Sequence, residues 1–214
     1  MIPTNGQINM YSRFGQILAL YGSDPCYKTF LEVGTWNGQG STACIINGIL
    51  NRSNKDREGV VLYSIENDPQ KYQEAKEFWS RFPEAEPHLS LLFGRISDTP
   101  MKPLETYKDN PLLDYHSIVG YEVEKRQFEN SSNIRGFLGS PIDVVLLDGG
   151  DYCTEIEFEE LFKGDDVKVF ALDDTNVYKC FNIVRRLEGN KRWLKVHGDE
   201  HDRNGYQVYQ KIEG

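Results

Sequence analysis

An α/β fold, with a largely parallel sheet flanked by helices, is what this sequence predicts, and three observations carry the expectation. Short runs rich in Val, Ile and Leu alternate along the chain with segments whose apolar residues recur at helical spacing. A glycine-rich turn, FLEVGTWNGQGS over residues 30–41, joins the first run to the helical segment behind it. Acidic residues stand at or just after the ends of the runs: Glu32, Glu66, Asp148 and the pair Asp173 and Asp174.

A first helix is expected over 10–21, where Phe14, Ile17, Leu18 and Tyr21 share a stripe and Gly22 supplies a stop. Residues 29–33 follow as a short buried strand, and 41–50 as the helix behind the glycine turn. A second strand covers 60–65 and ends at Glu66; Asp68 then caps, and Pro69 opens, a helix running to 82. Residues 89–93 make the third strand, terminated by Gly94. From 97 to 140 the pattern weakens over a length greater than a plain crossover needs, so this segment is read as an insertion or lid carrying substrate recognition. Within it Leu112, Leu113, Tyr115, Ile118, Val119 and Tyr121 could pack as a helix or a lid, and the charged stretch 122–129 is expected in solvent. Residues 142–147 read as a central strand, 155–162 as a helix, 167–172 as the fifth strand and 177–187 as the helix after it. Residues 193–197 and 206–210 alternate apolar and polar positions, as an antiparallel closing hairpin does. One domain accommodates all 214 residues.

Charge and composition narrow the function. Twenty-four Lys and Arg against 33 Asp and Glu give a net charge of −9, which opposes binding to a phosphate backbone, so nucleic acid is not an expected partner. The start of the chain lacks the basic and apolar regions of a secretory signal, and no stretch has the length of a membrane span. A soluble cytoplasmic protein with no membrane partner is the expectation. Cys26, Cys44, Cys153 and Cys180 are spread without C-x-x-C pairing, which suggests free thiols rather than a zinc site or a disulfide framework.

Ligands of open α/β sheets bind beyond the carboxyl ends of the strands. The glycine turn has the order E-x-G-x-x-x-G-x-G, with Glu32, Gly34, Gly38 and Gly40; Trp36 stands where the second glycine of a dinucleotide fingerprint would be. Glycines there let the backbone approach a ligand, while the Glu32 carboxylate could hold a hydroxyl or an amine, or instead face the helix N-terminus. Glu66, at the end of the second strand, is placed to accept hydrogen bonds from both hydroxyls of a ribose. Asp148, Asp173 and Asp174 would converge as hard oxygen donors of the kind Mg²⁺ prefers, able to orient a substrate and lower the pKa of a hydroxyl. Asp174 could equally cap the helix near Val177, and Asp143 reads as a strand-start residue without chemistry.

Together the glycine turn, Glu66, the LLDGGDY run (146–152), the LDDTN run (172–176) and the late DRNGYQVYQK run (202–211) resemble class I S-adenosylmethionine-dependent methyltransferases. Within that superfamily they are most similar to metal-assisted small-molecule O-methyltransferases and to uncharacterised viral and bacterial methyltransferase-like proteins. The resemblance implies a Rossmann-like, doubly wound, seven-stranded sheet with its last strand reversed and helices on both faces. It implies S-adenosylmethionine bound by Glu32, Gly34, Trp36, Gly38, Gly40, Ser41 and Glu66, with Arg95, Ile96 and Ser97 covering adenine. It also implies Mg²⁺ held by Asp148, Asp173 and Asp174. Catechol-type relatives carry a lysine base three residues after the first metal aspartate, where this chain has Asp151. Asp148, Asp151 and Tyr152 are the candidate catalytic groups; Tyr152 or His201 could supply a proton relay, although a structural role suits each better. The expected activity is O-methylation of a small-molecule or sugar hydroxyl, with a homodimer as the expected assembly. A non-catalytic, cofactor-binding or scaffold module is the rival, and a nucleotide-sugar or other Rossmann-type enzyme the third.

Overall fold

The computed structural model describes residues 1–108, 110, 112–113, 115–139, 141–164 and 167–212. Ser140, the last residue of the expected lid, lies outside them, as does the side chain of Tyr115. The first half of the chain runs α1 (Arg13–Ser23), β1 (Thr29–Val33), α2 (Ser41–Leu50), α3 (Asn54–Arg57), β2 (Val61–Glu66), α4 (Pro69–Trp79) and β3 (Leu89–Phe93). The second half runs α5 (Tyr115–Asn130), β4 (Val144–Leu147), α6 (Cys153–Lys163), β5 (Val169–Asp173), α7 (Tyr178–Glu188), β6 (Trp193–Asp199) and β7 (Tyr206–Lys211).

The seven strands form one sheet in the order β3-β2-β1-β4-β5-β7-β6. β3, β2, β1, β4 and β5 pair in parallel, and β7 lies antiparallel to both β5 and β6. The reversed strand and the closing hairpin are therefore as expected. Alternate residues of each central strand point to opposite faces, which builds two cores. Phe30, Leu62, Val144, Leu146 and Val169 pack under α1, α2 and α4, whereas Leu31, Ile65, Val145, Leu147 and Phe170 pack under α6 and α7.

Four local expectations need correction. Gly22 does not stop α1: it sits inside the helix, and a Cβ there would stand 2.4 Å from the Ile45 carbonyl oxygen, because α2 crosses α1 at this point. The helix after Asp68 ends at Trp79 rather than 82, since prolines at 83 and 87 turn the chain into a 3-10 segment, Pro83–His88. The charged stretch 122–129 is solvated on one side only: it is the body of α5, with Glu122, Val123, Arg126 and Glu129 exposed. Tyr121 and Phe128, two turns apart, bury that helix's inner face, and Glu124 between them turns inward as well. Ile118 and Val119, expected to pack, are exposed. Among the described residues no helix is long and apolar enough to cross a membrane.

Candidate active site

β1 lies between β2 and β4, where the strand order departs in opposite directions, so a crevice opens beyond its carboxyl end. The glycine turn fills the floor of that crevice. Gly34 N–H and Thr35 N–H both donate to the Ile65 carbonyl at 3.0 Å, and Asp148 N–H donates to Val33 O at 2.9 Å, which clamps the ends of three strands together. Gly34 has φ +96°, and a Cβ there would come 2.1 Å from the Asp148 carbonyl oxygen. Only glycine meets both demands. Glu66, 8% exposed, accepts from Trp36 N–H at 2.7 Å, Asp68 N–H at 2.8 Å and Asn67 N–H at 2.9 Å. Its carboxylate thus ties the turn to the end of β2, while burial pushes its pKa up against those donors.

Glu32 is fully buried. It accepts from Ser41 Oγ at 2.5 Å, from Thr42 Oγ1 at 2.6 Å and from Ser64 Oγ, the residue opposite it on β2. Burial raises its pKa to about 7 in spite of those three hydroxyls. Glu32 is therefore satisfied within the chain and holds the turn from below, nearer the helix-terminus alternative than direct contact with a ligand. A segment with no part in the expected site covers the turn from the other side. Asn5 N–H donates to Gln39 O at 2.8 Å, Ile8 O would lie 3.2 Å from a Cβ on Gly40, and Asn47 exchanges two hydrogen bonds with the backbone of Ile2.

At the ends of β4 and β5 the three aspartates do converge: Asp148, Asp173 and Asp174 each bring a carboxylate oxygen within 4.8 Å of the others. Two cations of the chain already stand among them. Lys179, on the first turn of α7 and 4% exposed, places Nζ 2.8 Å from Asp148 Oδ1 and 2.6 Å from Asp174 Oδ2. Arg203, in the β6–β7 loop, pairs with Asp173 and donates to Gln7 Oε1 at 3.1 Å. Burial raises Asp173 to about 7, reinforced by Asp148 and opposed by Lys179 and Arg203. Burial works on Asp174 in the same direction, but Lys179 and Asn204 outweigh it and hold its carboxyl below the usual range. Burial alone would lower Lys179; the surrounding aspartates lift it well above an ordinary lysine instead.

Solved structures share this arrangement of sheet and helices. The O-methyltransferase from Bacillus cereus in complex with SAH matches with a TM-score of 0.58 at 14% identity, over 92% of this chain and 80% of that one. TomG from Streptomyces achromogenes, an O-methyltransferase involved in tomaymycin synthesis and solved with SAM, matches at 0.57 and 13%, over 93% and 79%. SAH-bound methyltransferase PaMTH1 of Podospora anserina gives 0.57 and 10%, over 93% and 78%. The fold is that of the class I methyltransferases. No protein-family model matches the sequence, and no curated protein matches it either.

Within the methyltransferase fold the expected residues divide into two groups. Gly34, Gly40, Ser41, Glu66 and Asp148 lie together around the turn. Trp36 and Gly38, within the turn, and Arg95, Ile96 and Ser97, beyond β3, make further contacts of their own. Gly38, φ +74°, packs on Trp79, whose Nε1 would be 2.5 Å from an added Cβ. Trp36 is 61% exposed with Lys71 Nζ 4.3 Å from its ring centre. Arg95 donates to Ser97 O at 2.9 Å and to Glu129 O and Phe128 O, capping the end of α5, and Ile96 is fully buried with its N–H on Glu157 at 3.2 Å. Ser97 is buried and its Oγ accepts from Thr99 N–H at 3.2 Å. Asp174 does not cap α7, whose N-cap is Val177; with φ +56° it turns to Lys179 and Asn204. Asp143 lies at the far end of β4, accepting from Lys28 and Thr29 N–H and pairing with Lys168 at 2.7 Å, a structural tie as expected.

Tyr152 is buried in an aromatic cluster. Its ring is 2% exposed and meets Tyr107, Tyr121 and Tyr178 at centroid distances of 4.9, 5.0 and 5.5 Å, an aromatic cluster that seats α5 on α6 and α7. Asp151 is half-buried, and its N–H, with those of Tyr152 and Cys153, donates to Glu124 at 2.8–2.9 Å. The start of α6, an anion site by its geometry, is thereby filled by a carboxylate from α5. Burial raises Glu124, and raises buried Glu157 to about 8. His201 is exposed, with its N–H on Asp199.

Proposed function

We propose that this chain transfers the methyl group of S-adenosylmethionine to a hydroxyl of a small molecule. The observation that carries the reading is the glycine turn at the switch point, braced by Glu32 below and by Glu66 at its side, in a fold whose relatives hold SAM or SAH. The crevice around it is lined with acids, Glu66 and Asp173 buried and Asp148 half-buried, of which Glu66 is held by backbone N–H groups rather than by a cation, which suits a cationic ligand. When bound, the sulfonium supplies an electrophilic methyl carbon. The chain's own task is alignment and a field suited to the charge that moves. Gly34 sets the distance between β1 and β4, so the backbone of the turn and Asp148 face one space. The attacking hydroxyl must lose its proton, and the half-exposed carboxylates of Asp148 and Asp151 are the acceptors at the rim.

The oxygen donors of Asp148, Asp173 and Asp174 suit Mg²⁺ in kind, but their charge is already met by Lys179 and Arg203. A resident divalent ion does not fit that arrangement, and no step is assigned to one. A non-catalytic module remains the second reading, favoured by the burial of Tyr152 and by Asp151 at the position of the expected lysine. Calorimetry with S-adenosylhomocysteine tests the first reading: micromolar binding that weakens in Glu66→Ala is expected, and no binding below about 1 mM would sink it. Release of S-adenosylhomocysteine from S-adenosylmethionine in the presence of hydroxylated acceptors separates an enzyme from a scaffold.

A further inference from the structure

We infer that Lys179 is the resident cation of the acidic rim, standing between Asp148 and Asp174 where a divalent metal would have to bind, so that this site works without one. For its catalytic consequence this rests on the methyl-transfer reading; the statement about cation binding does not.

The geometry carries it. A hard divalent ion holds carboxylate oxygens at about 2.1 Å, and Asp148 and Asp174 each already give one oxygen to Lys179 Nζ, at 2.8 and 2.6 Å. An ammonium and a metal cannot share that gap, since each would face the other's charge at close range. Lys179 is not a surface side chain that folds back at will: it is 4% exposed, on the first turn of α7, between the buried Tyr178 and Cys180. Cys180 Sγ, 3.0 Å from Asp173 O, fastens that turn to the end of β5. The third carboxylate is taken separately, by Arg203 from the β6–β7 loop. Three acids thus meet two fixed cations from two different elements, leaving at most one uncompensated negative charge for a divalent ion.

Lys179 is on this account a positioning residue. It keeps Asp148 turned toward the crevice with a single, permanent charge in place of an exchangeable ion.

Mn²⁺, a paramagnetic probe for sites of this donor set, gives a direct test by electron spin resonance on the intact chain. Wild type should bind no Mn²⁺ below about 1 mM, and its affinity for S-adenosylhomocysteine should be unchanged by a chelator. Lys179→Met, of similar length and uncharged, should gain Mn²⁺ binding by about tenfold or more, and Asp148→Asn added to it should abolish the gain. Tight Mn²⁺ binding by wild type overturns the inference, as does a folded Lys179→Met that binds no better. If Lys179→Met does not fold, the wild-type titration alone decides: binding in the micromolar range refutes the resident cation, and its absence together with chelator-insensitive S-adenosylhomocysteine binding upholds it. Failure of S-adenosylhomocysteine to bind at all counts against the proposed function and leaves the Mn²⁺ result readable.

Discussion

Replacing Glu32 by Gln should change how stability depends on pH. Glu32 is fully buried, and its pKa in the folded chain is about 7 against an ordinary 4.5. Below 4.5 the group is protonated both folded and unfolded and favours neither. As pH rises from 4.5 toward 7 the unfolded chain releases this proton while the folded chain keeps it, so stability falls across that window and levels off above it. At about 1.4 kcal/mol per pH unit the loss is on the order of 3 kcal/mol. Gln has no such proton, and Ser41, which donates to one oxygen, can turn its hydroxyl to accept from the new amide. Asp173 and Glu157 titrate in both proteins and cancel to first order. Urea unfolding of both proteins at pH 5 and pH 8 should show the difference in free energy moving by about 2.5 kcal/mol in favour of Glu32→Gln at the higher pH. Parallel curves, within about 1 kcal/mol, would refute the burial argument for Glu32.

Gly34→Ala combines a positive φ with a Cβ 2.1 Å from Asp148 O, so a loss of roughly 2–5 kcal/mol is expected by chemical denaturation. A loss under about 1 kcal/mol would show that the strand ends can part without strain. Glu124→Ala removes the acceptor of three backbone N–H groups at the start of α6; it should cost about 1–3 kcal/mol and speed amide exchange at Asp151, Tyr152 and Cys153. Unchanged exchange at those amides would mean that Glu124 is not what holds α5 in place.

The sheet was legible because its strands are short, apolar and separated by helix-spaced segments, and because the last two alternate. α5 was not, since its buried side reduces to Tyr121, Glu124 and Phe128 amid charged neighbours, a pattern that resembles a solvated run. Of the site, residues on one side of the sheet could be read from the glycine order. Their partners could not, because Ser64 reaches Glu32 only through the register of β1 with β2. A serine between Tyr63 and Ile65 inside the VLYSIE strand was a signal of a polar group opposite. The aspartates at the ends of β4 and β5 read as candidate Mg²⁺ donors, since donor types reveal what a site could hold but not which of the chain's own cations arrives first. Lys179, five residues after Asp174 at the head of a helix, was the available clue; Arg203 gave none, as its approach depends on how β7 lies against β5.

The position of β7 bears on how the molecule folds. It comes after every other strand in chain order, yet it pairs with β5 on one side and with β6 on the other. Until it inserts, β6 has no neighbour and β5 is an open edge of unpaired backbone groups. Tyr206, at its start, stacks on Phe14 of α1 with ring centres 4.6 Å apart, joining distant parts of the chain. Closure of the sheet and neutralisation of Asp173 by Arg203 therefore wait on one late event of high contact order. A growing chain would carry five paired strands, with Lys179 already between Asp148 and Asp174, while Asp173 stays unpaired with Arg203 until that hairpin arrives.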